Sequence, residues 1–213
     1  MKRSYKDLIK GLITNDRVCL SKLISSIESD PSSIFKIIDS VKRIPNKVYT
    51  IGVTGPPGAG KSTLTNQIIK KFRSMDLKIG VIAIDPSSPF TGGAVLGDRV
   101  RMQEHSLDTS VFIRSVGSRG DLGGLSSSTS SMIKLFDIFG MDIVIIETVG
   151  VGQTELDIIK ISDSVLVTLV PEAGDGIQAM KAGLMEIGDI FIVNKADRGG
   201  AEKLAREIDY MVP

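Results

Sequence analysis

The chain has 213 residues, 42% of them hydrophobic and 24% charged, and its 26 Lys and Arg stand against 25 Asp and Glu. That composition suits a globular protein with one sizeable core and excludes a disordered tail, a collagen-like fibre and a coiled coil. The near-balance of charge also argues against a nucleic-acid binder that works by phosphate neutralisation. Cys19 is the single cysteine and His105 the single histidine, so an internal disulfide framework, a Cys-built zinc site and a His-clustered metal centre are all excluded. No apolar run reaches the ~18 residues of a membrane-spanning helix. The charged opening MKRSYKDLIKGL lacks the apolar core of a secretion signal, and the expected compartment is the reducing cytoplasm.

Residues 1–47 carry 10 basic and 5 acidic side chains, net +5, whereas the remaining 166 carry 16 and 20, net −4. Apolar residues in the first part recur at helical spacing. Leu8, Ile9, Leu12 and Ile13 form one stripe, and Leu20, Leu23, Ile24 and Ile27 a second. Ile34, Ile37, Ile38 and Val41 form a third, after the helix-start signal Asp30-Pro31. Three short helices are predicted, and their basic excess reads as solvated faces rather than as a site for an acidic partner.

From residue 48 the pattern changes to short β-branched runs: Val48–Val53, Ile79–Ile84, Val111–Ile113, Ile143–Ile146, Val165–Val170 and Ile190–Val193. Such runs suit strands buried on both faces. Amphipathic stretches alternate with them at Ser62–Phe72, Ser131–Phe139, Thr154–Ile161 and Ile177–Ile187, and a last helix is predicted at Ala201–Tyr210. The expected fold is α/β, a mostly parallel sheet flanked by helices, with a helical segment over 1–47 and the main domain over 48–213. Residues 85–98 and 115–131, rich in Gly, Ser and Pro, are predicted to be ligand-holding loops. The block Arg114-Ser115-Val116-Gly117-Ser118-Arg119-Gly120 is too glycine-rich for core and is predicted to be a mobile, partner-facing loop.

The most specific motif is Gly55-Pro56-Pro57-Gly58-Ala59-Gly60-Lys61-Ser62, between a predicted strand and the helix Thr63–Phe72. It fits G-x-x-x-x-G-K-S, in which glycines let successive backbone N–H groups converge on a phosphate. The helix start at Ser62 and Thr63 adds its dipole, Lys61 neutralises the outer phosphates, and the Ser62 hydroxyl serves Mg²⁺. Far along the chain, Asn194-Lys195-Ala196-Asp197 follows the run Ile190–Val193. A carboxylate at Asp197 can accept from the N1–H and 2-amino group of guanine, which adenine cannot offer, while Asn194 braces the loop and the Lys195 stem lies over the base. GTP is therefore expected rather than ATP.

Ile143–Ile146 leads into Glu147-Thr148-Val149-Gly150-Val151-Gly152-Gln153. A carboxylate at such a strand end orders the Mg²⁺ shell and a nearby glycine senses the γ-phosphate, roles that fall to Glu147 and Gly150. Gln153 is the candidate for orienting water. Asp85, at the end of the second run, and Asp98, in Gly97-Asp98-Arg99, are candidate Mg²⁺ ligands; a helix N-cap is the alternative role for Asp98. Arg99 and Arg101 read as surface pairing residues, and His105 as a surface or core residue rather than a catalyst.

The stretches GVTGPPGAGKSTL, AIDPSSPFTGGAVLGDRVRM, FIRSVGSRGDLGGLS, IIETVGVGQTE, PEAGDGIQAMKAG and FIVNKAD together resemble the MeaB/ArgK group of SIMIBI-class P-loop GTPases, which includes MMAA. The resemblance implies a GTP-hydrolysing chaperone for adenosylcobalamin-dependent acyl-CoA mutases, methylmalonyl-CoA mutase above all, with a cobalamin adenosyltransferase as a further partner. It implies GTP/GDP and Mg²⁺ as ligands, with Lys61, Ser62, Asp98 and Glu147 in the phosphate and metal roles and Asn194 and Asp197 on guanine. It also implies that Gly174–Gly183, with Asp175, Gln178 and Lys181, reports nucleotide state to the mutase. No membrane or nucleic-acid partner is expected, and an older transport-ATPase label in the group fits NKAD poorly. Two other readings are a nickel-insertion GTPase, disfavoured by one His and one Cys, and a non-hydrolysing mutase-docking module. Members of the group continue past the point where this sequence stops, at Met211-Val212-Pro213. A last strand, a Ser-Ala loop behind the guanine and a dimerisation arm are the parts expected there.

Overall fold

The computed structural model describes residues 4–41, 48–86, 103–105, 107–118, 127–148, 150, 157–171 and 184–211. Three helices open the chain: α1 (Tyr5–Ile13), α2 (Arg17–Ser29) and α3 (Ser33–Ser40). α1 starts with a capping box, in which Ser4 Oγ accepts from the Asp7 N–H and Asp7 Oδ2 from the Ser4 N–H. Asp16 caps α2 by accepting from the Val18 and Cys19 N–H groups. The predicted start of α3 at Asp30-Pro31 is displaced to Ser33. Asp30 is extended, its N–H closes α2 on Ser26 O, and its carboxylate accepts from Ser32 N–H (3.0 Å) and Oγ (2.6 Å). The aspartate thus makes the turn between two helices instead of capping the second.

The strands are β1 (Tyr49–Thr54), β2 (Ile79–Pro86), β3 (Val111–Ser118), β4 (Ile143–Glu147), β5 (Ser164–Leu169) and β6 (Ile190–Val193). They form one sheet in the order β3-β2-β4-β1-β5-β6, with every pairing parallel. Helices α4 (Lys61–Arg73), α5 (Ser127–Phe139) and α6 (Ala201–Met211) accompany it. The expected α/β architecture is what the chain forms.

Alternate residues of the central strands feed two cores. Ile51, Val53, Val81 and Ile145 pack with Ile69 of α4, whereas Ile82, Val144 and Ile146 pack with Met132, Leu135 and Phe136 of α5. The second core also takes in Leu12, Leu20, Leu23, Ile24, Ile27, Ile34 and Ile37, so most of the apolar stripes of the first three helices is buried there, while Ile13 and Ile38 are exposed. A smaller cluster joins Val165, Val167 and Leu169 of β5 to Leu204 and Ile208 of α6.

Further expectations need correction. Residues 114–118 are not a loop but the second half of β3, paired with β2 from Val111 to Ser118. Their glycine is tolerated because, among the described residues, the strand lies at the sheet edge, and Arg114 ties it to α2 through Glu28 and Ser25. The Ser-rich stretch before residue 131 is likewise helical from Ser127, since Ser128, Thr129 and Ser131 are small enough to sit buried on α5. Of the predicted helix Thr154–Ile161, the described part is a 3₁₀ turn at Ile158–Lys160. Of Ile177–Ile187, residues 184–187 form a turn and the remainder lies outside the described residues.

Candidate functional site

In an open parallel sheet, ligands gather where the strands end at their carboxyl side. Here β1 ends at Thr54 and passes into the phosphate loop, β4 ends at Glu147, and β6 ends beside Asn194-Lys195-Ala196-Asp197. β1 lies between β4 and β5, and β5 carries β6 on its far side. The topology therefore brings motifs far apart in sequence to one end of the sheet.

Lys61 opens α4 with only 7% of its surface exposed, and its Nζ donates to the Gly55 carbonyl (2.7 Å) and the Pro56 carbonyl (3.0 Å). The ammonium thus sits inside the curve of the loop that precedes it. Ser62, also buried, donates from Oγ to Glu147 Oε1 at 2.6 Å. Glu147 reaches this point because β4 pairs with β1 up to the Val53 register, one residue short of the strand's end. A hydroxyl and a carboxylate meeting at the helix start form an oxygen-donor pair suited to Mg²⁺, a hard cation that takes few protein ligands.

The NKAD segment is joined to the phosphate loop. The Asn194 N–H extends the β5–β6 ladder to Leu169 O, and its Nδ2 donates to Ala59 O at 2.8 Å. Lys195 turns into the left-handed region (φ 56°) and its Nζ donates to Gly58 O at 2.8 Å. Asp197 is exposed in the turn before α6 and lines an open cleft of about 680 Å³ with Arg198, Glu202, Arg206 and Tyr210. On the other side, Gly150 lies so near the loop that a Cβ there would overlap Gly55 O and come within 2.6 Å of Lys61 Nζ.

Lys61, Ser62, Glu147, Gly150, Asn194 and Lys195 are therefore gathered around residues 55–60. Asp85, next to last in β2, pairs in register with Gly117, and its side chain lies outside the described residues, as do Asp98, Gln153, Arg99, Arg101, Asp175, Gln178 and Lys181. His105 is buried in a 3₁₀ turn whose neighbours Glu104 and Asp108 pair with Lys70 and Arg73 of α4. Two residues at the site lie within the quoted stretches but have no role assigned from the sequence. Thr54 and Thr148 are buried, and Thr148 Oγ1 donates to Thr54 Oγ1 at 3.0 Å. Their positions, one just before Gly55 and one just after Glu147, are the only signal of them in the sequence.

A protein of Pyrococcus horikoshii that carries a GTPase name is 54% identical over 196 residues, covering 92% of this chain and 62% of its own length. The GTPase ArgK of Escherichia coli is 37% identical over 193 residues, covering 89% and 58% respectively. A crystal structure of a LAO/AO transport system kinase superposes with a TM-score of 0.73 at 27% identity, covering 99% of this chain and 63% of that one. The chain spans about three fifths of the length of these relatives. The family model described as methylmalonyl Co-A mutase-associated GTPase MeaB matches residues 20–213, and with that match over nearly its whole length the chain belongs to the MeaB family.

Proposed function

We propose that the protein binds GTP and hydrolyses it to GDP and phosphate, and that its nucleotide state governs adenosylcobalamin loading and protection of methylmalonyl-CoA mutase or a related acyl-CoA mutase. The observation that carries the nucleotide reading is the joining of two loops. Asn194 and Lys195 hold the carbonyls of Ala59 and Gly58, so a base at Asp197 and phosphates at residues 55–62 would lie on one rigid frame. Lys61 and the N–H groups of Gly58, Gly60, Ser62 and Thr63 neutralise and orient the phosphates. Asp197 selects guanine, because a base without its two donors leaves the carboxylate unsatisfied.

Ser62 and Glu147 fit Mg²⁺, with Asp85 and Asp98 as further ligands; when bound, the ion offsets charge on the phosphate oxygens. Gly150 reads the outer phosphate from its position against Gly55 and Lys61. Gln153 orients the hydrolytic water. Turnover by the protein alone is expected to be slow, since charge stabilisation supplied by a partner adds about 10³–10⁵-fold in this kind of chemistry. The mutase client is inferred from the family description; a cobalamin adenosyltransferase as a second partner, and the cytoplasm as the compartment, are parts of the same proposal.

Titration with GTP, GDP and ATP, with and without methylmalonyl-CoA mutase, tests both parts. GTP should bind tighter than ATP, and the mutase should raise hydrolysis. Asp197→Asn should weaken GTP by at least about tenfold and leave ATP unchanged. An unaltered GTP:ATP ratio in that variant refutes guanine reading, and hydrolysis indifferent to the mutase refutes the client.

A further inference from the structure

Beneath the phosphate loop lies a polar contact with no part in the roles above. Thr54 is 0% and Thr148 2% exposed, and their hydroxyls meet at 3.0 Å in the interior. Thr54 is the last residue of β1 and adjoins Gly55; Thr148 follows the last residue of β4 and stands two before Gly150. We propose that this hydroxyl pair is a positioning contact that sets Gly150 against the phosphate loop, and through it the rate of GTP hydrolysis. The proposal rests on the GTPase reading.

Pairing between β1 and β4 ends at the register Val53↔Glu147. Past it, the segment leading to Gly150 is tied back to β1 by the Thr148 N–H on Val53 O (3.1 Å) and by the hydroxyl pair. What must be held there is tight, because a single Cβ at position 150 would overlap Gly55 O and lie 2.9 Å from the Pro56 carbonyl carbon. A shift of a few tenths of an ångström at Thr148 therefore alters how Gly150 faces Gly55 and Lys61. Threonine is well suited to hold such a position, since its branched Cβ restricts χ1 and its buried hydroxyl has a fixed partner. Gly55 O is also an acceptor for Lys61 Nζ, so the contact links the segment after Glu147 to the cation that meets the phosphates.

Thr→Val changes keep the shape and delete the hydroxyl. Removing one hydroxyl strands its buried partner and lowers stability, whereas removing both is nearly neutral. Thr54→Val and Thr148→Val should each lower kcat for GTP by about five- to tenfold, the worth of one buried hydrogen bond, with GDP affinity within about twofold of the parent. Thr148→Ser should restore most of the lost rate. The double variant should regain the Tm lost in the single variants yet remain slow, which separates positioning from packing. Recovery of rate together with Tm in the double variant overturns the proposal, as does a parallel fall in GDP affinity. A parent protein that binds no GTP overturns this proposal and the GTPase reading together; a parent that binds and turns over GTP, with hydroxyl-free variants equally fast, overturns the proposal alone.

Discussion

Gly60→Ala probes the joint between the loop over residues 55–62 and the segment Asn194–Asp197. Gly60 has φ 90° and ψ 23°, and an L-residue held in left-handed geometry costs about 1–2 kcal/mol. Its added Cβ would overlap Asn194 Nδ2 and lie 3.6 Å from Asn194 Cγ, and these are the described atoms it meets within 4 Å. The amide has to swing away, which loses its bond to Ala59 O, worth about 1 kcal/mol. The sum is about 2–3 kcal/mol, or roughly 4–12 °C in Tm for a chain of this size, and GTP affinity should fall by at least about tenfold. Asn194→Ala alone forfeits the bond without the strain. The double variant should then fall short of additivity by about 1 kcal/mol, since the same bond cannot be lost twice. Gly55→Ala provides the contrast: at φ 134° its Cβ would overlap the backbone oxygen of Thr168, which has no rotamer to escape into. Its loss should exceed that of Gly60→Ala, with no second-site relief. Thermal unfolding and calorimetric GTP titration read both quantities. Full additivity of Gly60→Ala and Asn194→Ala would show that the amide does not brace the loop.

Two further outcomes concern parts of the molecule remote from the phosphates. Arg114 of β3 donates to both carboxylate oxygens of Glu28 and to Ser25 Oγ, with the two charged side chains only 18% and 19% exposed. Arg114→Met should lower stability to denaturant by about 1–3 kcal/mol, between the values for surface and buried pairs, with GTP affinity unchanged; an unchanged denaturation midpoint refutes it. Hydrogen bonding from Arg73 holds the Asp108 carboxyl below its ordinary 3.8, and the Ser110 N–H adds to the effect against the opposing influence of burial. A carboxyl with a depressed folded pKa contributes stability above its unfolded value and loses it as pH falls through the folded one. Unfolding free energy should therefore decline below about pH 3.8, and Asp108→Asn should flatten that part of the profile. Parallel profiles for the two proteins refute the assignment.

The strands were legible because a parallel sheet buried on both faces demands uninterrupted β-branched runs, and those runs stand out in Ile79–Ile84 and Ile143–Ile146. β3 is longer than its apolar run for the complementary reason. At a sheet edge one flank has no neighbouring strand, so Ser115, Gly117 and Ser118 are compatible with pairing that central strands would not tolerate as readily. The Asp30-Pro31 signal misplaces the start of α3 because aspartate makes helix caps and turns by the same kind of hydrogen bond, its carboxylate accepting from a nearby downstream N–H. At the candidate site, the motifs stood out because the phosphate and guanine roles proposed for them each need particular residue types at fixed spacing. Thr54 and Thr148 could not be read this way. Threonine at a strand end is ordinary, and only the pairing of β1 with β4 turns two such residues into a contact.

The contacts around residues 55–62 also bear on what kind of ligand the loop accepts. Among the described residues, Lys61 Nζ donates to Gly55 O and Pro56 O, and Ser62 Oγ to the Glu147 carboxylate. A ligand that draws on this ammonium competes with those bonds, so its net gain is a difference rather than a whole interaction energy. Against those two carbonyls an anion has the advantage, because a bond between two ionised groups is stronger than one from an ammonium to a neutral carbonyl. A neutral ligand gains little from the exchange. Low exposure sharpens the contrast, since solvent screens Lys61 less than it would a surface ammonium. Because Glu147 is the acceptor for Ser62 and immediately precedes Thr148, any ligand that re-partners Ser62 acts at the start of the segment that leads to Gly150.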